Sequence, residues 1–323
     1  MCILWNPRHA SIDMFTCVNA LKILVMGGTR FVGKAIVDHL LIDKHEITLF
    51  TRGNNPYPNG VRHIKGDRKT SDIDKLEGLK FDVIIDCSGR NLSETEDVIA
   101  KTGYPEHRFI YISSAGIYSY SESLPVEETS PIDPNSRHIG KAETESWLKN
   151  EGIPFTVFRP TYIYGPSNYN PIEKWFFDRI TYSQIIPLPD QGMGLTQLGH
   201  VADLARAIKV SLDYKIAENK IYNCSSAKAI TFKGLVYAAA KASGSNKDEL
   251  RLCSFNTSKL DPKARKAFPL RLPHFFTDTS LIQRELDWKP IYSLERGLED
   301  SYLNDYTLLV NNKPDFTLDN TLF

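Results

Sequence analysis

An α/β fold built on a parallel sheet is predicted for this chain of 323 residues, and three observations carry the prediction. Short apolar runs alternate with helical patterns from residue 21 to residue 160, and strands separated by helices at that spacing pair in parallel with helices on both faces. The first run, Leu21–Met26, breaks off in Gly27-Gly28 and passes directly into a helical stretch, which reads as strand, tight turn and helix. The run FDVIIDC over 81–87 is apolar at nearly every position, as a strand covered on both faces must be.

The elements follow in order. Glycines in the first turn let the backbone bend sharply and approach a ligand, and the helix behind it offers free N–H groups to an anion. A dinucleotide pyrophosphate is the usual occupant of such a loop. Gly27, Gly28, Thr29, Arg30, Phe31, Val32 and Gly33 are therefore the candidate cofactor loop, with Arg30 standing where a second spaced glycine is expected. Lys34–Leu41 is the helix. Glu46–Thr51 is a second strand ending at Arg52-Gly53. An acid at that point suits the ribose 2′-OH of NAD and an arginine suits a 2′-phosphate, so Arg52 either points to NADP or is an ordinary loop cation. Val61–Ile64 is a third strand, followed by Gly66-Asp67-Arg68, and Asp67 is counted with the cofactor residues. Strand 81–87 ends at Ser88-Gly89-Arg90, on the carboxyl edge of the sheet where ligands bind. Leu92–Lys101 is helical. Arg108–Ser113 is a fifth strand, with Ser113 and Ser114 at its end, and the polar stretch Tyr118–Ser136 is a lid or surface loop. Arg137–Asn150 is a helix behind the capping residues Asn135-Ser136, and Pro154–Pro160 is a sixth strand.

Past Gly165-Pro166 the alternation becomes irregular. Helices are expected over 171–183, 201–214, 231–243, 280–286 and 294–309, and Lys220–Cys224 is a strand that returns to the main sheet. No repeat or flexible linker separates the halves. The organisation expected is an N-terminal extension over 1–20, a Rossmann-like doubly wound domain over 21–166 plus 201–225, and a smaller interwoven α/β domain over 167–200 plus 226–323.

Composition narrows the function. Lys plus Arg and Asp plus Glu both number 39, for a formal net charge of zero, which argues against bulk attraction to nucleic acid and leaves room for a local basic face. Five cysteines, at 2, 17, 87, 224 and 253 with no CxxC spacing, read as reduced thiols and not as a disulfide framework or a metal cluster. No apolar run reaches the length of a membrane span, so no membrane partner is expected. Residues 1–20 lack a signal-peptide core, Met14 is an alternative start, and the cytoplasm is the compartment expected.

Six features in the right order resemble the extended short-chain dehydrogenase/reductase superfamily, in its NAD-dependent epimerase/dehydratase branch. They are the glycine loop, Ser113-Ser114-Ala115-Gly116-Ile117-Tyr118, a lysine on the following helix, Arg159-Pro160 with Tyr164-Gly165-Pro166, the stretch His200–Leu204 and the stretch Leu286–Pro290. Longer stretches are similar to the chloroplast stem-loop RNA-binding protein family and its cyanobacterial relatives: 27–33, Thr48–Gly53, Lys65–Lys69, Ser136–Lys141, Tyr164–Pro171, Thr196–Val201, and Lys266–Pro269 followed by His274-Phe275-Phe276. The resemblance implies a nucleotide- or dinucleotide-binding scaffold for NAD or NADP. It also implies a partner in structured RNA, whose transcripts such a protein stabilises or processes, with a magnesium-dependent endoribonuclease as one form of that processing. A homo-oligomer is compatible with it. Plant members carry a plastid transit peptide; this sequence shows none, which points to a cyanobacterium-like cytoplasm.

One position separates the two families. The superfamily's chemistry uses a Tyr and a Lys at i and i+4, the ammonium lowering the phenol's pKa so that it serves as base. Ser114 and Lys141 match the superfamily's catalytic Ser and Lys, but Arg137 stands four residues before Lys141. Arginine has no acceptor and does not give up its proton in proteins. Ordinary epimerase or dehydratase turnover is therefore not expected, although Tyr118 or Tyr120 could swing in from the loop. The alternatives are an NAD(P)-dependent epimerase, dehydratase or reductase with a relocated base, and an NADP-binding regulatory protein without turnover. Arg137 and Lys141 on one helix face would suit a phosphate, and Arg30, Arg52, Arg68 and Arg90 would complete an electropositive mouth. The competing reading pairs Arg137 with Glu143 or Glu145. A second basic surface runs from Lys247 to Arg271, with Lys263, Arg265 and Lys266 as phosphate contacts and Phe255, Phe268, Phe275 and Phe276 as base-stacking rings; otherwise it is a solvated rim over a core. For a metal, Asp67, Asp86 and Asp203 are on hand, but no spacing assigns them. His200 is expected to orient the helix at Val201, Asp203 to cap it, Cys87 to lie in the core, and Tyr162 and Tyr164 to lie near the crevice.

Overall fold

The structure is a computed structural model that describes residues 20–308 and 313–322; all but the last residue of the expected N-terminal extension, Met14 included, lies outside them. Exposed Lys22 and four buried apolar residues form β1 (Lys22–Met26), and the chain turns through the glycines into α1 (Phe31–Leu40). Then come β2 (Glu46–Thr51), β3 (Arg62–Lys65), β4 (Val83–Asp86), α2 (Leu92–Thr102), β5 (Arg108–Ile112), α3 (Ile139–Asn150) and β6 (Phe155–Pro160). The second half holds β7 (Tyr162–Tyr164), α4 (Ile172–Thr181), β8 (Ile185–Pro189), β9 (Leu195–Thr196), β10 (Leu198–His200), α5 (Val201–Ser211), β11 (Lys220–Cys224), β12 (Ile230–Thr231), α6 (Phe232–Ala242), β13 (Arg251–Phe255), α7 (Ser280–Leu286) and α8 (Leu294–Asn304).

Seven strands make one sheet in the order β11-β6-β5-β4-β1-β2-β3, parallel at every pairing. The expected α/β parallel fold is present, and the expected returning strand is β11, beside β6. Period-two alternation sorts the side chains to two faces. Ile23 and Val25 of β1 enter a core with Val37, Leu40, Leu204 and Ile208, where α1 packs on α5. Leu24 and Met26 enter the opposite core with Val98, Phe109 and Leu148. The strand order reverses between β1 and β4, and at such a reversal the flanking connections diverge and leave a crevice at the carboxyl ends.

The irregular second half contributes three two-stranded pairs: β10 on β7, β12 on β9, and β13 on β8. Only Lys220–Cys224 is read from sequence as a strand here. The run Ile185-Ile186-Pro187-Leu188-Pro189 carries two prolines, which forbid a central strand but not one paired on a single side. These pairs and α4, α6 and α8 enclose a separate apolar cluster around Phe176, Phe177, Phe232 and Phe268.

One boundary shift matters for function. The helix expected from Arg137 begins at Ile139, with His138 as its N-cap. Ser136 spends its hydroxyl on the turn before it, donating to the Gly116 carbonyl at 2.8 Å and accepting from the His138 N–H at 3.1 Å. Arg137 therefore precedes the helix, and it shares no helical face with Lys141.

Candidate nucleotide-binding cleft

The carboxyl ends of β1, β2, β4 and β5 open into a cleft of about 1180 Å³. Its floor is the turn between β1 and α1. Gly27 and Gly28 sit at φ +110° and +101°, a region where a side chain is strained. A Cβ on Gly33 would stand 2.5 Å from the Gly28 amide nitrogen, so the start of α1 rests directly on the turn only because both residues are glycine. Phe31 is held at φ +40° and is buried. Arg30 is the N-cap of α1 but makes no side-chain cap bond, and the first turn has no acidic residue. The N–H groups of that turn have no intrahelical acceptor, and no carboxylate of the helix competes for them. The donor set fits a pyrophosphate.

Two ends of the cleft are distinguishable. At the β2 end, Thr51 Oγ1 lies 2.8 Å from His63 Nε2 and accepts the Gly53 N–H at 3.3 Å, while Arg52 is exposed with no ion pair among the described residues. Asp67 lines the same end and accepts the Lys69 N–H at 3.1 Å. At the β5 end stand Ser113, Ser114, Arg137, His138 and Lys141. Lys141 Nζ donates to the carbonyls of Gly89 at 3.0 Å and Ile112 at 2.5 Å. Burial brings its pKa down to about 8, with Arg90 pushing the same way and Asp86 opposing. Ser114 accepts the Gly116 N–H at 3.0 Å, and the Ser113 hydroxyl is buried without a partner among the described residues. Arg137 Nε donates to His138 Nε2 at 3.0 Å. Desolvation and the charges of Arg137, Lys141 and Arg90 bring His138 down to about 4, so it faces Arg137 as a neutral acceptor.

The cationic mouth differs from expectation in one member. Arg68 is buried and forms a two-pronged pair with Asp86 at 2.7 and 2.9 Å, and it also reaches Ser88 and the Glu94 carbonyl. It is a structural cation, because β3 and β4 bring it face to face with a buried carboxylate. Arg30, Arg52, Arg90 and Arg137 line the cleft, are exposed, and have no ion pair among the described residues. Glu143 and Glu145 do not hold Arg137; Glu145 is paired instead with Arg159. Neither tyrosine of the loop reaches the cleft. The Tyr118 hydroxyl is buried, donating to Asn223 at 2.8 Å and accepting from Arg159 at 2.8 Å, and Tyr120 is exposed outside the cleft lining.

Other expectations are corrected. Phe255, Phe268 and Phe275 are core residues, and Arg265 caps the carbonyls of Phe268 and Leu270 at 3.0 and 2.7 Å. The 247–271 surface therefore keeps Lys263 and Lys266 exposed but has lost those rings as stacking partners. Asp203 does not cap α5; it accepts the N–H groups of Ile291 and Tyr292 at 2.8 and 3.1 Å, and His200 Nδ1 takes the capping bond from Ala202 at 3.3 Å. Cys87 is half-buried on the cleft wall as well as against the core. Tyr162 accepts the Arg271 N–H at 2.7 Å and Tyr164 is buried, so both act in packing. Among the described residues no group of three or more His, Cys, Asp or Glu is placed to hold a metal. Asp86 and Asp203 are spent on the bonds above, so the residues present do not fit a magnesium site. Sequence reasoning passed over Tyr169, whose ring lies 4.4 Å from the Arg30 guanidinium; the only signal was an aromatic inside the turn-rich stretch Pro166-Ser167-Asn168-Tyr169-Asn170-Pro171.

Comparison with known proteins agrees with this geometry. Residues 23–225 match the model of the NAD dependent epimerase/dehydratase family. The chain is 41% identical over 319 residues to the chloroplast stem-loop binding protein of 41 kDa b of Arabidopsis thaliana, covering 93% of this chain and 84% of that protein. Among solved structures it resembles the UDP-glucuronic acid 4-epimerase of Bacillus cereus in complex with UDP-glucuronic acid and NAD, with a TM-score of 0.73 and 18% identity over 89% of this chain and 99% of that one. The UDP-glucose 4-epimerase of Thermotoga maritima with UDP-glucose gives a TM-score of 0.72 at 18% identity, over 89% and 99%. At that identity the likeness is one of fold.

Proposed function

The chain belongs to the NAD dependent epimerase/dehydratase family, and from that premise we propose that it is an RNA-binding member of it, holding the phosphates of a structured RNA at the mouth of a retained dinucleotide cleft. One observation carries the reading. Arg30, Arg52, Arg90 and Arg137 ring a single cleft without carboxylate partners among the described residues, and a cluster of unpaired guanidinium groups is a phosphate-binding arrangement. The relationship to a stem-loop binding protein supports the choice of RNA.

The family's group still fits. Gly27–Gly33 would hold the pyrophosphate, Arg52 a 2′-phosphate and Asp67 the neighbouring sugar, with Lys141 and Ser114 at the far end. The absence of an acid after β2 favours NADP over NAD. A bound dinucleotide supplies hydride chemistry, but the residue four before Lys141 is Arg137, and the nearby His138 is held neutral between cations. Binding without sugar-nucleotide turnover is the outcome this arrangement supports.

The test is binding of a labelled stem-loop RNA across a salt series. The affinity should fall as salt rises, by about one unit of log–log slope per phosphate contacted, and each of Arg90→Ala and Arg137→Ala should reduce that slope by about one. An affinity indifferent to salt, or unchanged in both variants, removes the reading. Incubating the same RNA with and without magnesium reports cleavage separately.

A further inference from the structure

Arg30 belongs to two surfaces at once. Its backbone starts α1 and is part of the phosphate loop. Its side chain leaves that loop and lies 4.4 Å from the ring of Tyr169, on the turn that follows β7. Tyr169 is 61% exposed, so the cation and the ring form an open platform at the cleft mouth. Aromatic faces paired with arginine stack unpaired bases with little sequence preference. Arg52, Arg90, Arg137 and Lys141 line the same cavity as this platform.

We propose that a dinucleotide and RNA compete for this cleft through Arg30, so that bound NADP releases RNA and bound RNA excludes NADP. This rests on the RNA reading above and adds its regulation. NADP would bring about three to four negative charges onto the glycine loop and Arg52. Those charges neutralise part of the field that draws RNA to the mouth and repel its phosphates. The dinucleotide also takes the Arg30 guanidinium that an RNA phosphate or base would otherwise meet. Competition of this kind is reciprocal, because linkage between two binding equilibria acts equally in both directions. Tyr169 adds an exposed ring at the same cleft, the stacking face for an RNA base.

The experiment follows fluorescence anisotropy of a labelled stem-loop RNA with a single-stranded tail, at fixed salt, while NADP is titrated. A thermal-shift titration measures NADP binding without RNA. At ten times the NADP Kd, the apparent RNA Kd is expected to rise about 11-fold, as simple exclusion requires. Arg30→Ala should weaken both ligands, and Tyr169→Ala should weaken RNA while leaving the NADP thermal shift in place. An RNA affinity that does not move while the thermal shift shows NADP bound overturns the competition and leaves RNA binding standing. A protein that binds RNA but gives no NADP shift also overturns it. A protein that binds NADP and no RNA refutes the RNA reading, and the competition falls with it.

Discussion

Lys141 shows how burial sets the chemistry of a single residue. Its ammonium is wedged between two carbonyls, and loss of hydration brings its pKa to about 8. It is charged at pH 7 and largely neutral at pH 9, so affinity for a phosphate ligand should fall as pH rises through about 8. Lys141→Met should bind RNA more weakly at pH 7 and show a flatter profile over pH 7–9, measured by titrating the stem-loop RNA at each pH. Glu173 is the opposite case. It is buried, one oxygen accepts the Gly165 N–H at 3.0 Å, and desolvation raises its pKa to about 7. A carboxyl whose pKa is raised in the folded state favours folding below its unfolded pKa, and this advantage is lost as pH rises from about 4.5 to about 7. Glu173→Gln keeps an acceptor for Gly165 without the charge. It should stabilise the protein at pH 8 by up to ~3 kcal/mol, with little effect at pH 4.5, as read by thermal melts at the two pH values. The Arg68–Asp86 pair is buried on both sides; Asp86→Ala leaves an uncompensated guanidinium and should cost about 3–5 kcal/mol in urea unfolding.

At the scale of elements, the β1–α1 unit depends on contact between backbones. Gly33 is the first-turn residue whose missing Cβ lets α1 rest on Gly28. Gly33→Ala favours helix locally by about 1 kcal/mol, yet it must lift α1 from the turn and spread the N–H groups aimed at the cleft. The expected result is a folded protein, with an unchanged far-ultraviolet circular dichroism spectrum, whose NADP thermal shift is lost. α3 teaches the converse. Its start is decided by Ser136, which turns its hydroxyl to the chain at Gly116, and by His138 as cap. That delay of two residues takes Arg137 off the helix face and aims it at His138.

At the scale of the molecule, the sheet order places chain segments far apart in sequence around one cleft, and the mouth they form is cationic although the whole chain is neutral. A neutral chain can therefore present a strong local field, and overall charge is a poor guide to it. With UDP-sugars and NAD or NADP, purified protein should show no epimerised product above a no-enzyme control, by chromatography of the sugar nucleotides. Appearance of product, and its loss in Lys141→Met, would show that another group serves as base and would overturn binding without turnover.

The parallel sheet and the glycine loop were legible from residue 21 onward, because apolar period and glycine turns are local properties of the chain. Lys141 and Ser114 were likewise recognisable by position, and both line the cleft. Three matters required tertiary structure. Arg68 and Arg52 look alike in sequence, and only the approach of β4 gives one of them a buried carboxylate partner. The rings of Phe255, Phe268 and Phe275 fit a stacking surface by spacing, and only packing shows them turned inward. Tyr169 meets Arg30 across a separation of 139 positions, a contact no local pattern encodes. Sequence by itself determined which segments become strands and where a phosphate loop must turn, since those follow from neighbours along the chain. The fold decided which charges stay free to bind and which are consumed in holding it together, because that depends on which groups distant segments bring into contact.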